Sequence, residues 1–348
     1  MQCERGATLE DWNTFRIPAT AAYRILCTHP DELQLLPEIL PTAELPLLVL
    51  GNGSNVLFTE NYPGIVLRAS FRGIRCVEED PDSICVEAAA GESWHEFVHT
   101  CLQRGWHGLE NLALIPGTVG AAPVHNIGAY GVEVAQCLES VRVWDSVTHE
   151  FRWIPTTELA LSYRTSALRT AWLGKVVVTH VRFRLRRAVQ PSWDYPELKE
   201  YLTALGILKP TPEDIFHAVC ALRRRKLPDP TDFPNAGSFF RNPIVPVEHA
   251  EELQRRYPTM PCFPHGDSAV KIPAGWLLEH CGWKNIRRGN VGTWKRHALV
   301  VINHGATSGR EILRFAATLW RSVYNYFGIA LEPEVLIVPA VAWQPWED

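Results

Sequence analysis

The amino-acid sequence predicts an α+β protein with two or three domains. Its 348 residues are more than one compact core usually supports. Residues 1–190 are rich in short apolar segments with the pattern of strands, whereas amphipathic helix patterns and clustered prolines dominate after residue 190. With 46% hydrophobic and 21% charged residues, the composition is that of an ordinary globular protein.

The first part of the chain contains five segments that read as strands. They are residues 45–55, where a buried strand enters a tight Gly-Asn-Gly-Ser loop, and residues 65–67, 84–89, 141–144 and 176–185. Between them, residues 93–103 place their apolar side chains on one helix face, with Ser93 and Glu96 at capping-box spacing. Residues 114–131 are too rich in glycine for a helix.

The second part of the chain predicts four helices, at residues 213–224, 247–257, 273–281 and 308–327. Residues 331–338 return to a strand pattern. We therefore expect the tail to fold back onto the first part of the chain.

Composition narrows the possible partners. The net charge is −4, from 34 basic and 38 acidic residues, so we expect no general attraction to nucleic acid or to an anionic membrane. No apolar run approaches the ~18 residues that span a bilayer. The nine cysteines include no CxxC pair, which is typical of reduced thiols in a cytoplasmic protein.

One short pattern points to a different chemistry. Residues 95–99 read HEFVH, a formal match to the zinc-hydrolase pattern in which two histidines bind the metal. Both histidines fall opposite the apolar helix face, where we expect exposure to solvent, and Glu96 already has a capping role. No third ligand lies between residues 111 and 124. We therefore expect no metal site, and a zinc hydrolase remains an alternative of low weight.

Two glycine-rich segments carry a stronger signal. GNGSN at 51–55 follows a strand, as a phosphate-binding loop does, but Val56 stands where the dinucleotide fingerprint needs a third glycine. An ordinary glycine turn explains this segment equally well. The second segment, PGTVGAAPVHNIGAYG at 116–131, favours binding, because two such loops can clamp an extended pyrophosphate without a Rossmann unit.

The segment KLPDPTDFPNAGSFFR at 226–241 presents one hydroxyl in an apolar setting. Ser238 stands between Gly237 and two phenylalanines, in a segment stiffened by three prolines. A lone polar group beside aromatic side chains acts in a dry site, although a rigid loop without chemistry has the same composition.

These segments together resemble one family. The matching motifs are GNGSN at 51–55, ENLALIPGTVGAAPVHNIGAYG at 110–131, SYR at 162–164, KLPDP at 226–230, NAGSFFRNP at 235–243 and LEPEV at 331–335. They occur in the order found in the UDP-N-acetylmuramate dehydrogenases, also called UDP-N-acetylenolpyruvoylglucosamine reductases. The similarity runs from about residue 22 to residue 337.

The resemblance implies a fold and a division of the chain. The fold is a two-part FAD-binding module of the vanillyl-alcohol-oxidase type plus an α/β substrate-binding domain. We expect residues 1–75, joined by the returning residues 329–348, to form the first FAD-binding subdomain and residues 76–190 the second. An insertion and connecting helix then occupy residues 191–225, and residues 226–328 form the substrate-binding domain.

The resemblance also implies a reaction in peptidoglycan precursor synthesis. NADPH reduces a dissociable FAD, which passes hydride from its N5 to the terminal carbon of an enolpyruvyl ether, giving a lactyl ether. Arg164 then holds the charge that develops on the substrate, Ser238 protonates the carbon, and Glu334 assists from the opposite side. Alternation along a strand puts Glu332 and Glu334 on the same face, so the choice of Glu334 rests on its match to the second glutamate of LEPEV.

The remaining site residues follow from the same match. The expected cofactor-binding residues are Gly51, Asn52, Gly53, Ser54, Asn55, Pro116, Gly117, Thr118, Gly120, Ala121, Asn126, Gly128 and Gly131. The expected substrate-binding residues are Tyr163, Tyr195, Arg223, Lys226 and Asn242. Tyr195 belongs to an insertion, WDYPELKEYL at 193–202, whose tyrosine closes over the substrate in the longer subtype of the family. We expect a monomer, and keep an FAD-linked oxidase of a small alcohol or sugar as the alternative on this fold.

Overall fold

A computed structural model describes residues 1–40, 45–188, 191–340, 343 and 345. By internal contacts the chain divides into two compact units. The N-terminal unit comprises Met1–Ala7, Ala21–Asn52 and Pro63–Arg225, and the C-terminal unit comprises Thr8–Thr20, Gly53–Tyr62 and Lys226–Asp348. The predicted division into four parts stays a prediction. Residues 53–62, assigned by it to the first FAD-binding subdomain, group here with the C-terminal unit.

The described residues form nineteen strands. In chain order they are β1 Gln2–Arg5, β2 Ala21–Cys27, β3 Leu47–Leu50, β4 Val56–Phe58, β5 Tyr62–Ala69, β6 Ile74–Glu79, β7 Ser83–Ala89, β8 Gly128–Ala129, β9 Val132–Glu133, β10 Leu138–Asp145, β11 Phe151–Pro155, β12 Val176–Arg186, β13 Ile244–Pro246, β14 Phe263–His265, β15 Ala269–Lys271, β16 Arg287–Arg288, β17 Val291–Trp294, β18 His297–Asn303 and β19 Leu336–Val338.

Eight α-helices lie among the described residues. They are α1 Leu36–Ile39, α2 Trp94–Gln103, α3 Ala122–His125, α4 Pro196–Ala204, α5 Pro212–Lys226, α6 Val247–Arg256, α7 Ala274–His280 and α8 Gly309–Phe327. The structure confirms the predicted helices at residues 93–103, 213–224, 247–257, 273–281 and 308–327 to within two residues at each end. None of the helices in these described ranges is long and apolar enough to cross a bilayer.

Two sheets organise the N-terminal unit. Strands β1-β2-β5-β3 form one, in which β3 and β5 run parallel, and the antiparallel strands β11-β10-β12-β7-β6 form the other. Helix α2 packs its apolar face into the core through Trp94 and Phe97, which contact each other and Phe183 of β12 at ring-centroid distances of 4.9–5.9 Å. Burial of this face stabilises α2, as its apolar spacing predicts.

Smaller sheets and the longest helix build the C-terminal unit. Its sheets are β13-β15-β14, β16-β17-β18 and the parallel pair β19-β4. Helix α8 begins after Ser308, whose hydroxyl accepts a hydrogen bond from the Arg310 amide, and ends at Gly328 in the left-handed conformation (φ 69°). After α8, strand β19 pairs with β4, so the tail lies beside residues 56–58.

The tail differs from its prediction in one respect. The strand begins only at Leu336, because residues 332–334 bond instead to the chain around Phe240. The Arg241 amide donates to the Glu332 carbonyl and the Glu334 amide donates to the Phe239 carbonyl. The alternation argument for Glu332 and Glu334 sharing a strand face therefore does not apply.

Candidate active site

In the N-terminal unit, the loop after β3 lies against the second glycine-rich segment. The side-chain amide of Asn52 donates to the Gly117 carbonyl at 3.3 Å. A Cβ added to Gly51 would lie 2.7 Å from Oγ1 of Thr118, and one added to Gly120 would lie 2.6 Å from Cβ of Ala90. Glycine is therefore required at positions 51 and 120, because the backbone must approach its neighbours closely there.

The chain preceding α2, together with its first residue, holds this segment in place. The Trp94 amide donates to the Gly117 carbonyl at 3.1 Å, and the Trp94 indole donates to the Leu112 carbonyl at 2.8 Å. The Val119 amide donates to Glu92 and the Gly120 amide donates to Ala90, both at 2.9 Å. The segment is thus hydrogen-bonded along its length.

The same segment has the chemistry that suits the pyrophosphate of FAD. Among the described residues, no acceptor is found for the amides of Gly117 and Thr118. Gly117 has φ 130°, a conformation that L side chains rarely adopt, which accounts for glycine at this position. Free amides beside glycine form an anion-binding concavity.

The loop residues 53–55 belong to the C-terminal unit and have structural contacts there. A Cβ on Gly53 would lie 1.9 Å from the Trp12 carbonyl oxygen, so this glycine packs directly on backbone. The side-chain amide of Asn55 donates to the Glu334 carbonyl at 3.3 Å, and the Leu336 amide donates to the Asn55 carbonyl. Asn55 therefore helps to position the segment that carries Glu334.

Asn126 is buried and its side chain is already engaged. It lies in the left-handed conformation (φ 40°) at the end of α3. Its Nδ2 donates to Glu133 at 2.9 Å and to the Ser162 carbonyl at 3.0 Å, and its Oδ1 accepts from the Ala135 amide. Any contact of Asn126 with a cofactor therefore involves its backbone.

Arg164 is oriented by the backbone of the same region. It lies in a tight turn closed by Ser162 and Thr165, with φ 57°. Its Nη2 donates to the Gly128 carbonyl at 2.5 Å and its Nη1 to the Asn126 carbonyl at 3.4 Å. A Cβ on Gly128 would lie 2.8 Å from Nη1 of Arg164, so glycine at 128 makes room for this guanidinium.

A cluster of tyrosines and arginine lies near this turn. The rings of Tyr130 and Tyr195 meet edge-to-face at 5.5 Å, and burial raises the pKa of Tyr130 to about 12. Nε of Arg223 donates to the Leu114 carbonyl at 3.2 Å. Burial lowers the pKa of Arg223 from its usual value, and repulsion by Arg164 acts in the same direction, whereas Tyr130 opposes it. Two cations that repel each other favour an anion beside them.

Asn111 connects the insertion to this cluster. It is 3% exposed, and its side-chain amide donates to the carbonyls of Tyr130 at 3.0 Å and Ser192 at 2.8 Å. Ser192 precedes Tyr195 by three residues, so Asn111 fixes the start of the tyrosine-bearing insertion. Sequence reasoning missed this residue, because its partners are 19 and 81 positions away in the chain.

In the C-terminal unit, the structure places Ser238 and Glu334 on neighbouring segments. Residue 238 bridges to Val300 of β18, and the Phe239 carbonyl accepts from the Glu334 amide at 2.8 Å. Phe239 and Phe240 are fully buried and pack against each other at 5.1 Å. Glu332 is exposed and pairs with Arg241 at 3.8 Å, whereas Glu334 is half-buried, which favours the choice of Glu334.

Lys226 and Asn242 lie in the same unit beside a histidine that the sequence did not reveal. Oδ1 of Asn242 accepts from the Ala274 amide at 2.9 Å, so this residue caps α7. Burial, with a further contribution from Lys226, lowers the pKa of His297 to about 4. A Cβ on Gly275 would lie 2.5 Å from Cε1 of His297, so glycine at 275 provides space for that ring.

The HEFVH segment has a different environment from the one predicted. Ser93 precedes α2 but makes no side-chain capping bond, so the predicted capping box is wrong. His95 and His99 are half-buried, because α5 covers them and both rings stack on Phe216. In the described ranges, no group of three or more metal-binding side chains could hold a metal ion.

Comparison with known proteins defines first the class and then the family. A family model described as an FAD binding domain matches residues 21–150, and a model described as the C-terminal domain of UDP-N-acetylenolpyruvoylglucosamine reductase matches residues 229–338. The chain thus has the two parts of a flavoprotein with a separate C-terminal domain, and the predicted fold class is confirmed.

Similarity extends over whole proteins. The UDP-N-acetylenolpyruvoylglucosamine reductase of Chromobacterium violaceum is 44% identical over 97% of this chain and 99% of its own length. The reductase of Dechloromonas aromatica is 43% identical over 97% and 100%. A crystal structure of the Thermus caldophilus reductase covers 97% of this chain and 100% of its own, at 25% identity and a TM-score of 0.66. The chain belongs to the UDP-N-acetylenolpyruvoylglucosamine reductase family.

Proposed function

We propose that this protein reduces the enolpyruvyl ether of UDP-N-acetylglucosamine-enolpyruvate to UDP-N-acetylmuramate, with FAD as cofactor and NADPH as reductant. The observation that carries the proposal is the end-to-end similarity to reductases of this name, 44% over 97% of the chain. Bound FAD supplies the hydride. The protein must then bind the anionic substrate, stabilise the developing charge and deliver a proton.

Arg164 is proposed to hold the substrate carboxylate, on which negative charge accumulates. Its planar, cationic guanidinium matches the geometry of a carboxylate. Bonds to the carbonyls of Gly128 and Asn126 support this role, because they orient the guanidinium before substrate arrives. Preoriented charge costs little reorganisation during the reaction. Tyr163, whose ring lies 5.2 Å from this guanidinium, is proposed to contact substrate as well.

Ser238 is proposed to donate the proton and Glu334 to assist it. A hydroxyl is a weak acid in water, but a carbanion-like carbon is a strong base, and fixed geometry lowers the barrier. Support comes from the backbone bonds that hold residues 238–240 between β18 and residues 333–334. These bonds leave little freedom to the chain that carries the two side chains.

Arg223 and Lys226 are proposed as the cations that anchor the substrate diphosphate. Hydrogen bonds from Nδ2 of Asn242 and the phenol of Tyr195 are proposed to assist in substrate binding. Asn242 uses its Oδ1 to cap α7, and in the described part of the chain no acceptor is found for its Nδ2. That group therefore remains available to a phosphate oxygen. We further propose that the protein works as a monomer in the cytoplasm.

A spectroscopic experiment tests the proposed function. The purified protein is expected to be yellow, with about one FAD per chain released by denaturation. NADPH bleaches the flavin under anaerobic conditions, and the enolpyruvyl nucleotide restores the colour. Reoxidation by oxygen together with a small alcohol substrate, but not by the nucleotide, would point to an oxidase. A colourless protein that takes up no FAD would refute the proposal.

A further inference from the structure

The first turn of α2 and helix α5 both contact Leu114, a residue with a strained backbone conformation. Leu114 adopts the left-handed conformation with φ 59°, which is unfavourable for a non-glycine residue. Its amide donates to Nδ1 of His95 at 3.1 Å. Its carbonyl accepts from Nε of Arg223 at 3.2 Å. One residue of α2 and one of α5 therefore fix the same residue from both sides.

We propose that His95 is a positioning residue for the anion-binding cation Arg223. His95 accepts a hydrogen bond from the amide of Leu114 and so fixes this residue. The carbonyl of Leu114 then orients the guanidinium of Arg223. This inference rests on the proposed role of Arg223 in binding the nucleotide diphosphate. It gives the HEFVH segment a function in which no metal takes part.

The environment of Arg223 explains why it needs such an acceptor. No carboxylate pairs with Arg223 among the residues that the structure describes, and Arg164 repels it. A half-buried arginine without an acidic partner is oriented by neutral acceptors, and its charge remains available to an anion. The Leu114 carbonyl bonds to Nε and so leaves the terminal nitrogens of the fork to a phosphate.

His99 provides a matched control within the same helix. His95 and His99 both stack on Phe216 with ring centroids 5.5 Å apart, at interplanar angles of 9° and 23°. Only His95 bonds the Leu114 amide. A role in packing alone would therefore be shared by both histidines, whereas the proposed role belongs to His95.

The proposed bond requires neutral His95 with its proton on Nε2. A protonated ring would present a donor at Nδ1 to the donor amide of Leu114. The charged groups that face His95 are Glu96 and His99 on its own helix and Arg224 on α5. Burial is the largest influence and lowers the pKa of His95, so the neutral form predominates at pH 7. The bond is lost only in more acidic solution.

Binding of the enolpyruvyl nucleotide to the oxidised, FAD-loaded enzyme tests the proposal without turnover. His95→Phe keeps the stacking but removes the acceptor, and should raise the Kd about 5- to 10-fold, the cost of one neutral hydrogen bond. His95→Asn keeps an acceptor at the position of Nδ1 and should stay within about 2-fold of wild type. His99→Phe should also stay within about 2-fold.

Two further measurements separate a positioning role from a structural one. In the Arg223→Ala background, His95→Phe should add little further loss, because the group it orients is gone. As pH falls from 7.5 to 4.5, the ratio of wild-type Kd to that of His95→Asn should rise, since only the wild type loses its acceptor. Equal losses in His95→Phe and His99→Phe, a lack of rescue by asparagine, or a flat ratio would overturn the proposal.

A last measurement does not depend on nucleotide binding. The ring nitrogens of His95 in the ¹⁵N-labelled holoenzyme should show the Nε2–H tautomer, and the Leu114 amide should exchange faster with solvent in His95→Phe than in His95→Asn. If these results hold but Arg223→Ala binds nucleotide like wild type, the diphosphate assignment is wrong and the hydrogen bond is right. The opposite tautomer with unchanged exchange would refute the role of His95 itself.

Discussion

Burial sets the protonation state of single residues in the candidate site. It raises the pKa of Tyr130 to about 12, so this phenol stays neutral and can donate a hydrogen bond at any physiological pH. It lowers the pKa of His297 to about 4, so this imidazole stays neutral beside Lys226. The positive charge of the candidate site is therefore carried by Lys226, Arg164 and Arg223.

A first prediction concerns His297. Lys226→Met should raise the pKa of His297 only partly towards its usual value, because burial is the larger cause. Since the folded pKa lies below the unfolded value of about 6.5, the neutral ring contributes stability that is present above pH 6.5 and is lost as pH falls towards 4. A proton NMR titration of the ring measures the shift. Lys295→Met, which removes an exposed lysine two residues away, should leave it unchanged.

A second prediction separates the half-reactions at Ser238. Ser238→Ala should still let NADPH bleach the flavin, since no substrate carbon is protonated in that step. Reoxidation by the enolpyruvyl nucleotide should slow by at least about 10²-fold, as expected for loss of a positioned acid. Stopped-flow absorbance follows each step separately. If both steps slow equally, Ser238 has a structural role only.

Motifs in the sequence name some of the candidate site residues, whereas others are defined only by contacts in the folded chain. Ser238, Arg164 and Glu334 lie in segments with a distinctive pattern. His95 and Asn111 also lie in recognisable segments, HEFVH and residues 110–131, but their contacts were not predicted, because each bonds a backbone group 19 residues away, at Leu114 and Tyr130. Their partners are determined by the fold and leave no periodic signal in the chain.

At the scale of elements, periodicity predicted five of the eight helices in the described part of the chain and missed several strands, including the seven-residue β2. Helices α2 and α8 carry apolar stripes that face a core, and their bounds follow from that stripe. Strands such as β8 and β16 have two residues each, too few for alternation to be visible. The tail strand starts late, because residues 332–334 bond to the segment around Phe240.

A third prediction concerns the glycine-rich segment as an element. Gly120→Ala places a methyl group 2.6 Å from Cβ of Ala90, so the segment must shift. Overpacking of this kind costs about 1–3 kcal/mol, which should weaken FAD retention and lower the melting temperature of the apoprotein. Adding Ala90→Gly removes the colliding methyl group and should restore both quantities in part, because Cα and the carbonyl oxygen of residue 90 stay 3.1 and 3.2 Å from the added Cβ. Flavin absorbance after gel filtration measures FAD retention, and a thermal melt gives the melting temperature. If Gly120→Ala leaves both unchanged, residue 120 does not lie as close to Ala90 as the structure indicates.

At the scale of the whole molecule, the sequence predicted family and fold class through motifs spread over nearly the entire chain. It also predicted that residues 329–348 return to the first FAD-binding subdomain, and β19 pairs with β4. The structure groups residues 53–62 with the C-terminal unit, because β4 pairs with β19 and Gly53 packs on Trp12. Local patterns do not encode such long-range contacts, and the division into four parts stays a prediction.

The final prediction concerns the order of events in the complete enzyme. NADPH and the enolpyruvyl nucleotide must each bring a reacting carbon within about 3–3.5 Å of flavin N5. If the protein covers one face of the flavin ring, only one open face would remain, so the two ligands should bind in turn and give ping-pong kinetics, with inhibition at high nucleotide. Both ligands carry a diphosphate, so Lys226→Ala should weaken both, whereas Lys295→Ala should weaken neither. Equilibrium titration of the oxidised enzyme checks the model directly: a stable ternary complex with NADP⁺ and the enolpyruvyl nucleotide would show that the ligands occupy separate sites.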